Sequence, residues 1–471
     1  MVTIKILLIC SAGEHNRIDI NKGAEAVIIG TVELLRGLFP DADFVTTVQL
    51  SDRLQQKLCC KVIRNREYLT RFYSLPGSLK STMDLFRCLL WKTVHKYFKY
   101  SFKFLINSKN LKEYYDSDLI IHMGMDLYSD NFGAVSIFEH SMDILRGVAL
   151  GKPVIIWAES AGPFKKRLTR WLVRLTLNKV SLITLREKFS EEHLKEIKVN
   201  KPPIYITADP AFLMNPAPQE HIDQLLINES IFKQNIHPII GLTLSNTNSV
   251  RKSNKFILSK SIYTIIAYIL PEALSIAVAK LAIRTKIYSV VETKQNNYIE
   301  SIITLTEYLT DNYNATIILV PHIQNKGAFS NDKELHRLVL KHVKNKERIR
   351  LLETDYTAQE LKGIIGQCEI FIGAKMHANI AALSQAIPTV ALAYSYKFQG
   401  IMEMLGQDKY VCNTNLPKDL VRIVNDVWNN RKEIKTELEN KLPIIRNLAN
   451  LNGEVVQRLL QENERLYIAP H

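Results

Sequence analysis

Short apolar runs alternate with stretches of helical periodicity along most of this chain. An apolar run followed by a helical stretch is typical of β-α-β units, which build parallel sheets through right-handed connections. The clearest helix is predicted over 21–38, because apolar residues recur there at three-residue intervals behind a polar start. In the first half, strands are predicted at 4–9, 119–122, 154–157, 182–185 and 205–207.

The pattern stops at Pro216 and Pro218, which predict an extended linker, and restarts soon afterwards. Strands are then predicted at 239–244, 316–320, 349–352, 368–372 and 389–392. At 471 residues, the chain exceeds the roughly 250 to 300 residues that a single core holds. The sequence therefore predicts an α/β fold with Rossmann-like domains over 1–217 and 236–425, helical insertions, and a helical tail over 426–471.

Positive charge is concentrated in one insertion of the first domain. The chain has a net charge of +14, and the segment 53–112 holds 14 Lys and Arg against only Glu67 and Asp84. Helical spacing groups four lysines on one side of a predicted amphipathic helix over 79–106 and places apolar residues opposite. The lysines are Lys92, Lys96, Lys99 and Lys103, and the apolar residues are Phe86, Leu90, Val94, Phe98 and Leu105.

Two interpretations of this basic helix stay open. It is either a solvated surface helix packed on the domain or a peripheral contact with an anionic membrane face. Nucleic acid is a weaker third partner, because no recognised binding motif accompanies the charge.

Composition and the first residues indicate a globular protein of a reducing compartment. Hydrophobic residues make up 46% and charged residues 23% of the chain, a globular balance. Residues 1–10 read as a first strand rather than a signal peptide, and the apolar stretch 261–283 is interrupted by a proline and two charges. The six cysteines show neither zinc spacing nor a disulfide framework. We therefore expect a cytoplasmic location, and we expect no bound metal.

The strongest candidate chemistry lies at 371–384, where an apolar run ends at Gly373 and a helix begins. Ligands of parallel sheets bind beyond the carboxyl ends of the strands. Lys375 and His377 open this helix, whose free amides and dipole favour an anion. A cation beside an imidazole predicts a phosphate or carboxylate site with a proton donor. An ordinary helix start with a surface Lys and a hydrogen-bonded His remains the alternative.

Other predicted strand ends carry further candidates. Lys397 follows the strand at 389–392, His322 follows the strand at 316–320, and Ser160 lies in a small Gly-Pro turn. Arg186 and Asp209 each follow a strand and bring a charge to its carboxyl end. A structural ion pair or an exposed side chain is the competing interpretation at each of these positions.

Six short segments lie in a fixed order along the chain: Asn21 to Ala26, Ser160 to Phe164, Leu185 to Glu187 with Ser190, Ala208 to Ala211, Lys375 to His377, and Tyr394 to Gly400. Taken together and in this order, these segments resemble the polysaccharide pyruvyl transferase family over about residues 4–410. The resemblance implies a glycosyltransferase-B-like fold, in which two Rossmann-like domains face a central cleft.

The resemblance implies transfer of a pyruvyl group from phosphoenolpyruvate to two hydroxyls of a sugar in a cell-surface polysaccharide or its precursor. A cyclic ketal and phosphate are the products, and phosphoenolpyruvate is a co-substrate, so no cofactor is expected. His377 matches the family's essential histidine and is implied to be a general acid or base. Lys375 stands where the family usually has Arg, and it is implied to bind the donor phosphate or carboxylate, where its ammonium acts as a point charge.

Further donor- or substrate-binding residues follow from the same resemblance. Lys397 matches a basic residue that the family places after the next strand. Arg186, Asp209, Ser160, His322 and Asn21 are the remaining candidates. The expected acceptor is a sugar or a lipid-linked saccharide at the cytoplasmic face of the membrane.

Two other functions remain possible on this fold. A nucleotide-sugar-dependent glycosyltransferase would use the same architecture with a different anionic donor, and donor preference separates it from a pyruvyl transferase. A non-catalytic carbohydrate-binding or scaffold protein would keep its biological activity after His377→Ala, whereas an enzyme that relies on this histidine would lose it.

Overall fold

A computed structural model of the chain describes residues 4–10, 18, 20–63, 75–98, 102–123, 125, 126, 128–231, 238–245, 287–323, 332–393, 396–413 and 417–468. Contacts divide the chain into two compact units. The first consists of Met1–Asp19, Ala24–Met214 and Ile444–His471, and the second of Ile20–Gly23 and Asn215–Pro443. The sequence analysis placed this boundary at 217 and treated 426–471 as a separate tail; in the structure, that tail is divided between the two units.

The first unit is built on a seven-stranded parallel sheet in the order β3-β2-β1-β4-β5-β6-β7. Its elements are β1 Lys5–Cys10, α1 Lys22–Leu38, β2 Asp43–Thr46, α2 Asp52–Leu58, β3 Cys60–Val62, α3 Leu75–Phe98, α4 Lys109–Asp116, β4 Leu119–Met123, α5 Ala134–Ala149, β5 Val154–Glu159, α6 Arg167–Leu177, β6 Leu182–Leu185, α7 Lys188–Glu196 and β7 Ile204–Ile206.

The second unit holds a six-stranded parallel sheet in the order β10-β9-β8-β11-β12-β13. Its elements, together with the last helix, are α8 Gln219–Asn228, β8 Ile239–Thr243, α9 Ile287–Tyr313, β9 Thr316–Leu319, α10 Asp332–His342, β10 Ile349–Leu351, α11 Ala358–Ile365, β11 Ile370–Gly373, α12 Met376–Leu383, β12 Thr389–Ala393, α13 Tyr396–Met404, β13 Val411–Asn413, α14 Pro417–Asn429 and α15 Arg431–Ile468.

Both sheets have the strand order of Rossmann-like domains. Strands β4 and β5 are buried along their whole length, which explains their near-continuous apolar sequence, since helices cover both faces of such a sheet. In each unit the connections leave in opposite directions from one pair of neighbouring strands: β1 and β4 in the first sheet, β8 and β11 in the second. Ligands of open α/β sheets bind at such switch points.

The predicted basic helix over 79–106 is shorter in the structure. Helix α3 ends at Phe98, and Lys103 belongs to a separate 3₁₀ turn, Lys103–Ile106. Lys99 lies outside the described residues. The helix packs on the unit through Ser81, Asp84, Cys88 and Trp91, so the apolar residues that were placed opposite the lysines do not form its buried stripe.

No helix in the described ranges is both long enough and apolar enough to cross a bilayer.

Candidate active site

The switch point of the second sheet brings three polar segments together. Strand β8 pairs with β9 on one side and with β11 on the other, so the residues that follow β9 and β11 meet beyond β8. The start of α1 joins them through an isolated antiparallel bridge between Asn21 and Ile323. The backbone N–H of Lys22 also donates to the carbonyl of His322 at 3.1 Å. The Asn21 side chain accepts from the Gly23 N–H at 3.1 Å and so caps this first turn.

His377 lies on the first turn of α12 and packs against the backbone of Gly23. A Cβ atom added to Gly23 would lie 2.4 Å from Nδ1 of His377, well inside van der Waals contact. Only a residue without a side chain allows this approach. Gly373 has a similar role at the end of β11, where an added Cβ would lie 1.7 Å from Oδ1 of Asn379.

Lys375 is the N-cap residue of α12, and its ammonium group is fixed by a buried carboxylate. Nζ lies 3.1 Å from Oδ1 of Asp332, an ion pair whose angle falls outside hydrogen-bond geometry. The other carboxylate oxygen of Asp332 accepts the backbone N–H groups of His322 at 3.1 Å and Ile323 at 2.7 Å. Asp332 therefore holds both the lysine and the loop that follows β9.

His322 is a neutral imidazole in this cluster. Burial, together with the nearby His377, Lys375 and Lys22, lowers its pKa to about 3. Its Nδ1 atom is buried and has no hydrogen-bond partner among the described residues. His322 thus offers a hydrogen-bonding group without adding charge at neutral pH.

Lys22 brings a second buried ammonium group to the cluster. Its Nζ lies 2.9 Å from Oδ1 of Asp355, whose side chain is 64% exposed. The two lysines therefore differ, because Lys375 is paired with a buried carboxylate and Lys22 with an exposed one. The first amides of α12 add further donors here, since an α-helix leaves its first N–H groups without acceptors of its own.

His336 is also buried, and it binds the backbone of Asp332, a residue of the cluster. It donates from Nδ1 to the carbonyl of Asp332 at 2.6 Å and accepts at Nε2 from the N–H of Leu244 at 3.3 Å. Both ring nitrogens are thus used to join the start of α10 to the end of β8. Across the described ranges, no three His, Cys, Asp or Glu side chains lie together in a way that would hold a metal ion.

Arg186, Ser160 and Asp209 form one network in the first unit, and all three are buried. Nε of Arg186 donates to the Ser160 hydroxyl at 2.7 Å, and its guanidinium pairs with Asp209 at 2.5 Å. A further N–H donates to the carbonyl of Met125. These residues hold the ends of β5, β6 and β7 together. The guanidinium is bound by three protein groups: a hydroxyl, a carboxylate and a backbone carbonyl.

The sequence-predicted residues therefore separate into two groups. Asn21, His322, Lys375 and His377 lie in the second unit's cluster, while Arg186, Ser160 and Asp209 lie in the first unit's network. Lys397 belongs to α13, but its side chain lies outside the described part of the structure.

Four residues of the cluster were missed by the sequence analysis: Lys22, Asp332, His336 and Asp355. None of them directly follows a predicted strand. Lys22 lies within the segment Asn21 to Ala26 that carries the family resemblance, but no local pattern indicated its partner.

Two Rossmann-like sheets, one with a cluster of cations at its switch point, define an α/β protein of the glycosyltransferase-B type. The chain is similar to HepE of Anabaena, solved with UDP and glucose, at a TM-score of 0.54 and 11% identity, covering 97% of this chain and 100% of that one. It is also similar to UDP-GlcNAc 2-epimerase of Neisseria meningitidis, solved with UDP-GlcNAc, at 0.52 and 11%, covering 98% and 100%. At this identity, the likeness describes the fold alone.

Sequence comparison identifies the family. The profile of the polysaccharide pyruvyl transferases matches residues 21–396, and the chain belongs to that family. It is 22% identical over 343 residues to the amylovoran biosynthesis protein AmsJ of Erwinia amylovora, with 72% of each chain covered. The chain is thus a transferase of polysaccharide biosynthesis.

Proposed function

We propose that this chain transfers the pyruvyl group of phosphoenolpyruvate to two hydroxyls of a sugar in a cell-surface polysaccharide or its precursor. A cyclic ketal forms and phosphate is released. The observation that carries the proposal is the cluster of Lys22, His322, Lys375 and His377 at the switch point of the second sheet. Membership of the family supports it. The acceptor is a sugar or a lipid-linked saccharide on the cytoplasmic side of the membrane.

The cluster matches the charge of the donor. Phosphoenolpyruvate carries a phosphate and a carboxylate, and the site offers two ammonium groups and the N-terminus of α12. Lys375 stays in place because its partner Asp332 is buried. Lys22 can exchange partners, because its present partner Asp355 is 64% exposed and water can solvate that carboxylate when it leaves. A donor anion would take the place of Asp355 on Lys22.

The chemistry requires proton transfer at two places. The first sugar hydroxyl adds to C2 of the donor while C3 gains a proton and becomes a methyl group. The C2–O bond to phosphate then breaks, and the second hydroxyl forms the second C–O bond at C2. One hydroxyl proton has moved to C3, and the other leaves with phosphate. His377 is half-buried at the helix start and is the group that we assign to this transfer.

His322 is assigned a different part. Because its pKa is lowered to about 3, the imidazole of His322 is neutral near pH 7 and adds no positive charge to the site. Its Nδ1 atom has no hydrogen-bond partner among the described residues and can accept from or donate to the donor. We assign it the orientation of the bound anion.

The first test of donor identity is thermal unfolding with phosphoenolpyruvate and, separately, with UDP-glucose and UDP-GlcNAc. A ligand present at about 100 times its Kd stabilises the folded state by about 2.7 kcal/mol. We expect stabilisation by phosphoenolpyruvate, loss of this effect in Lys375→Ala, and its retention in Lys344→Ala, an exposed lysine of the same unit.

Stabilisation by a nucleotide sugar, with no effect of phosphoenolpyruvate, would contradict the proposal. It would support the alternative of a nucleotide-sugar-dependent glycosyltransferase. That alternative has a structural precedent in HepE, which was solved with UDP and glucose on a similar fold.

A further inference from the structure

One face of the first unit exposes large apolar side chains on two helices. Helix α3 exposes Phe86 at 66% and Phe98 at 71%, and helix α6 exposes Leu168 at 66% and Trp171 at 59%. Leu90 on α3 and Leu175 on α6 are also exposed. These six side chains are called the apolar ridge below. Exposed apolar residues grouped on neighbouring elements mark interaction sites in soluble domains, whereas single ones do not.

The helices of the apolar ridge lie on the same face of the first sheet. Going along the chain from β3 to β4, β5 and β6, each strand lies further across the sheet in the same direction. Right-handed connections along one direction place their helices on one face, so α3, α5 and α6 share it. Helix α5 packs against both α3 and α6, and its Arg146 donates to the carbonyl of Ser81 on α3 at 3.2 Å.

The side chains of the apolar ridge do not belong to the hydrophobic core, because each helix packs on the sheet through other apolar residues. Helix α6 packs inward through Leu172, Val173 and Leu177, while Leu168, Trp171 and Leu175 lie on its outer face. Helix α3 packs inward through Cys88 and Trp91. Both helices are therefore apolar on two sides.

Exposed basic side chains accompany the apolar ridge on both helices. The segment 165–179 contains six basic residues and no acidic one, and Lys165, Lys166, Arg167 and Arg174 in it are exposed. On α3, Arg87, Lys92 and Lys96 are exposed, whereas Asp84, the helix's one acidic residue, is buried. The two helices therefore present exposed apolar side chains together with exposed basic ones.

We infer that this face binds the surface of a membrane with anionic headgroups. Apolar side chains in the interface and Lys or Arg at the headgroups are the two components of peripheral helix binding. Tryptophan favours the headgroup level, which is the place for Trp171. A second copy of the chain fits less well, because a two-fold interface would bring these like charges face to face. The inference is independent of the reaction proposed above.

The test uses the full-length chain and flotation with phosphatidylcholine vesicles, with and without phosphatidylglycerol. We expect the parent to float with the anionic vesicles and to bind neutral vesicles far more weakly. Leu168→Ser with Trp171→Ser lowers the partition by on the order of tenfold or more. Arg167→Gln with Arg174→Gln lowers binding to anionic vesicles by about fivefold for each charge.

Matched controls are provided by exposed apolar residues outside the apolar ridge. Ile227 on α8 is 53% exposed and Ile444 on α15 is 56% exposed. Ile227→Ser and Ile444→Ser are expected to bind vesicles as the parent does. All the substituted side chains point into solvent, so the melting temperatures are expected to stay near that of the parent.

Fluorescence locates the contact. Trp91 and Trp157 are buried and Trp428 stacks on Tyr313, which leaves Trp171 as the exposed tryptophan. Anionic vesicles are expected to shift the emission to the blue, and Trp171→Phe is expected to remove the shift while vesicle binding persists. The inference is overturned if the parent binds no vesicles or if the Leu168/Trp171 variant floats as the parent does. It is also overturned if the shift survives in Trp171→Phe, or if the face instead joins two copies of the chain.

Discussion

The imidazole of His377 has little freedom, because its ring lies directly against the backbone of Gly23. Lys375, two residues earlier, is fixed by Asp332. A proton-transfer group and a cation are thus held by separate contacts at one helix start. Such preorganisation is worth more to catalysis than the individual contacts are worth to stability.

Gly23→Ala is predicted to impair turnover, because the new Cβ would meet Nδ1 of His377 at 2.4 Å and displace the ring. Gly37→Ala is the matched control, since it lies on the same helix with nothing within 4 Å of its added Cβ. Alanine favours a helix over glycine by about 1 kcal/mol, so the control should be as stable as the parent or more so. Phosphate release from phosphoenolpyruvate in the presence of the polysaccharide precursor measures the effect. Equal turnover by both variants would contradict the assigned position of His377.

His377→Ala is predicted to lower turnover on the order of a hundredfold or more, because the reaction loses its proton-transfer group. His342→Ala, an exposed histidine on α10, serves as the control. His377→Ala is expected to bind phosphoenolpyruvate as the parent does, because Lys22 and Lys375 remain. The measurement is the rise in melting temperature on addition of phosphoenolpyruvate. Unchanged biological activity of this variant would favour a non-catalytic carbohydrate-binding or scaffold protein.

Three buried histidines predict how stability depends on pH. Burial lowers the pKa of His122 to about 4 and that of His322 to about 3, and it also lowers the pKa of His336. Below the unfolded value of 6.5, the unfolded chain binds protons that the folded chain does not. The free energy of unfolding therefore falls as the pH falls below 6.5, by up to about 1.4 kcal/mol per pH unit for each histidine. Above pH 6.5, these histidines contribute no pH dependence.

The check is the melting temperature between about pH 7.5 and about pH 4.5. His322→Asn is expected to make the melting temperature depend less steeply on pH, because one of the three buried histidines is removed. His342→Asn changes an exposed histidine and is expected to leave this dependence unchanged. A slope that stays the same in His322→Asn would contradict the neutral state assigned to His322.

The residues of the cluster differ in how far the sequence revealed them. Lys375 and His377 directly follow an apolar run, so the strand-end rule and the family resemblance both pointed to them. Asp332 and Asp355 come from the start of α10 and the loop before α11, and only long-range packing brings them to the lysines. No local pattern encodes such a contact, so their place in the site could not be predicted.

At the scale of elements, the ends of β5, β6 and β7 depend on the buried network around Arg186. Its guanidinium and Asp209 are both buried, so neither charge is solvated by water. Breaking a buried pair leaves an uncompensated charge, which costs about 3 to 5 kcal/mol. Arg186, Ser160 and Asp209 remain sequence predictions as donor-binding residues, and the geometry favours a structural role for them.

Arg186→Met is predicted to destabilise the first unit by about 3 to 5 kcal/mol and to leave donor binding by the folded protein intact. Arg170→Met is the control, because its ion pair with Glu196 is partly exposed and contributes at most about 1 kcal/mol. Thermal unfolding with and without phosphoenolpyruvate separates the two roles. An Arg186→Met protein that melts like the parent but no longer responds to phosphoenolpyruvate would instead support the donor-binding assignment.

Most strands of the two sheets were predictable from the sequence, and three short ones were not. Strands β1, β4, β5, β8, β9 and β11 coincide with apolar runs, so the α/β class with two parallel sheets was correctly predicted. Strands β2, β3 and β13 were missed, because each has only three or four residues and at least one of them is polar. Such strands take their conformation from the neighbouring strand rather than from local propensity.

At the scale of the whole molecule, the chain repeats one topology. In each sheet the first strand of the chain lies in the interior. The next two strands extend the sheet to one edge, and the remaining strands are added on the other side of the first strand. The proposed site uses the switch point of the second sheet, and the apolar ridge uses one helical face of the first unit. A single short segment, Ile20–Gly23, is separated from the sequence around it and belongs to the second unit. Its position depends on contacts between residues about 300 positions apart, such as Lys22 with His322, which periodicity does not reveal.

The central claim is that the chain forms a pyruvyl ketal from phosphoenolpyruvate. The most direct test incubates the protein with phosphoenolpyruvate labelled in its three-carbon unit and with the polysaccharide precursor, and then follows the label. We predict that the label enters the saccharide, that mild acid releases it as pyruvate, and that His377→Ala abolishes its incorporation. Label that remains in phosphoenolpyruvate, while a nucleotide sugar donates its glycosyl group to the same acceptor, would contradict the claim.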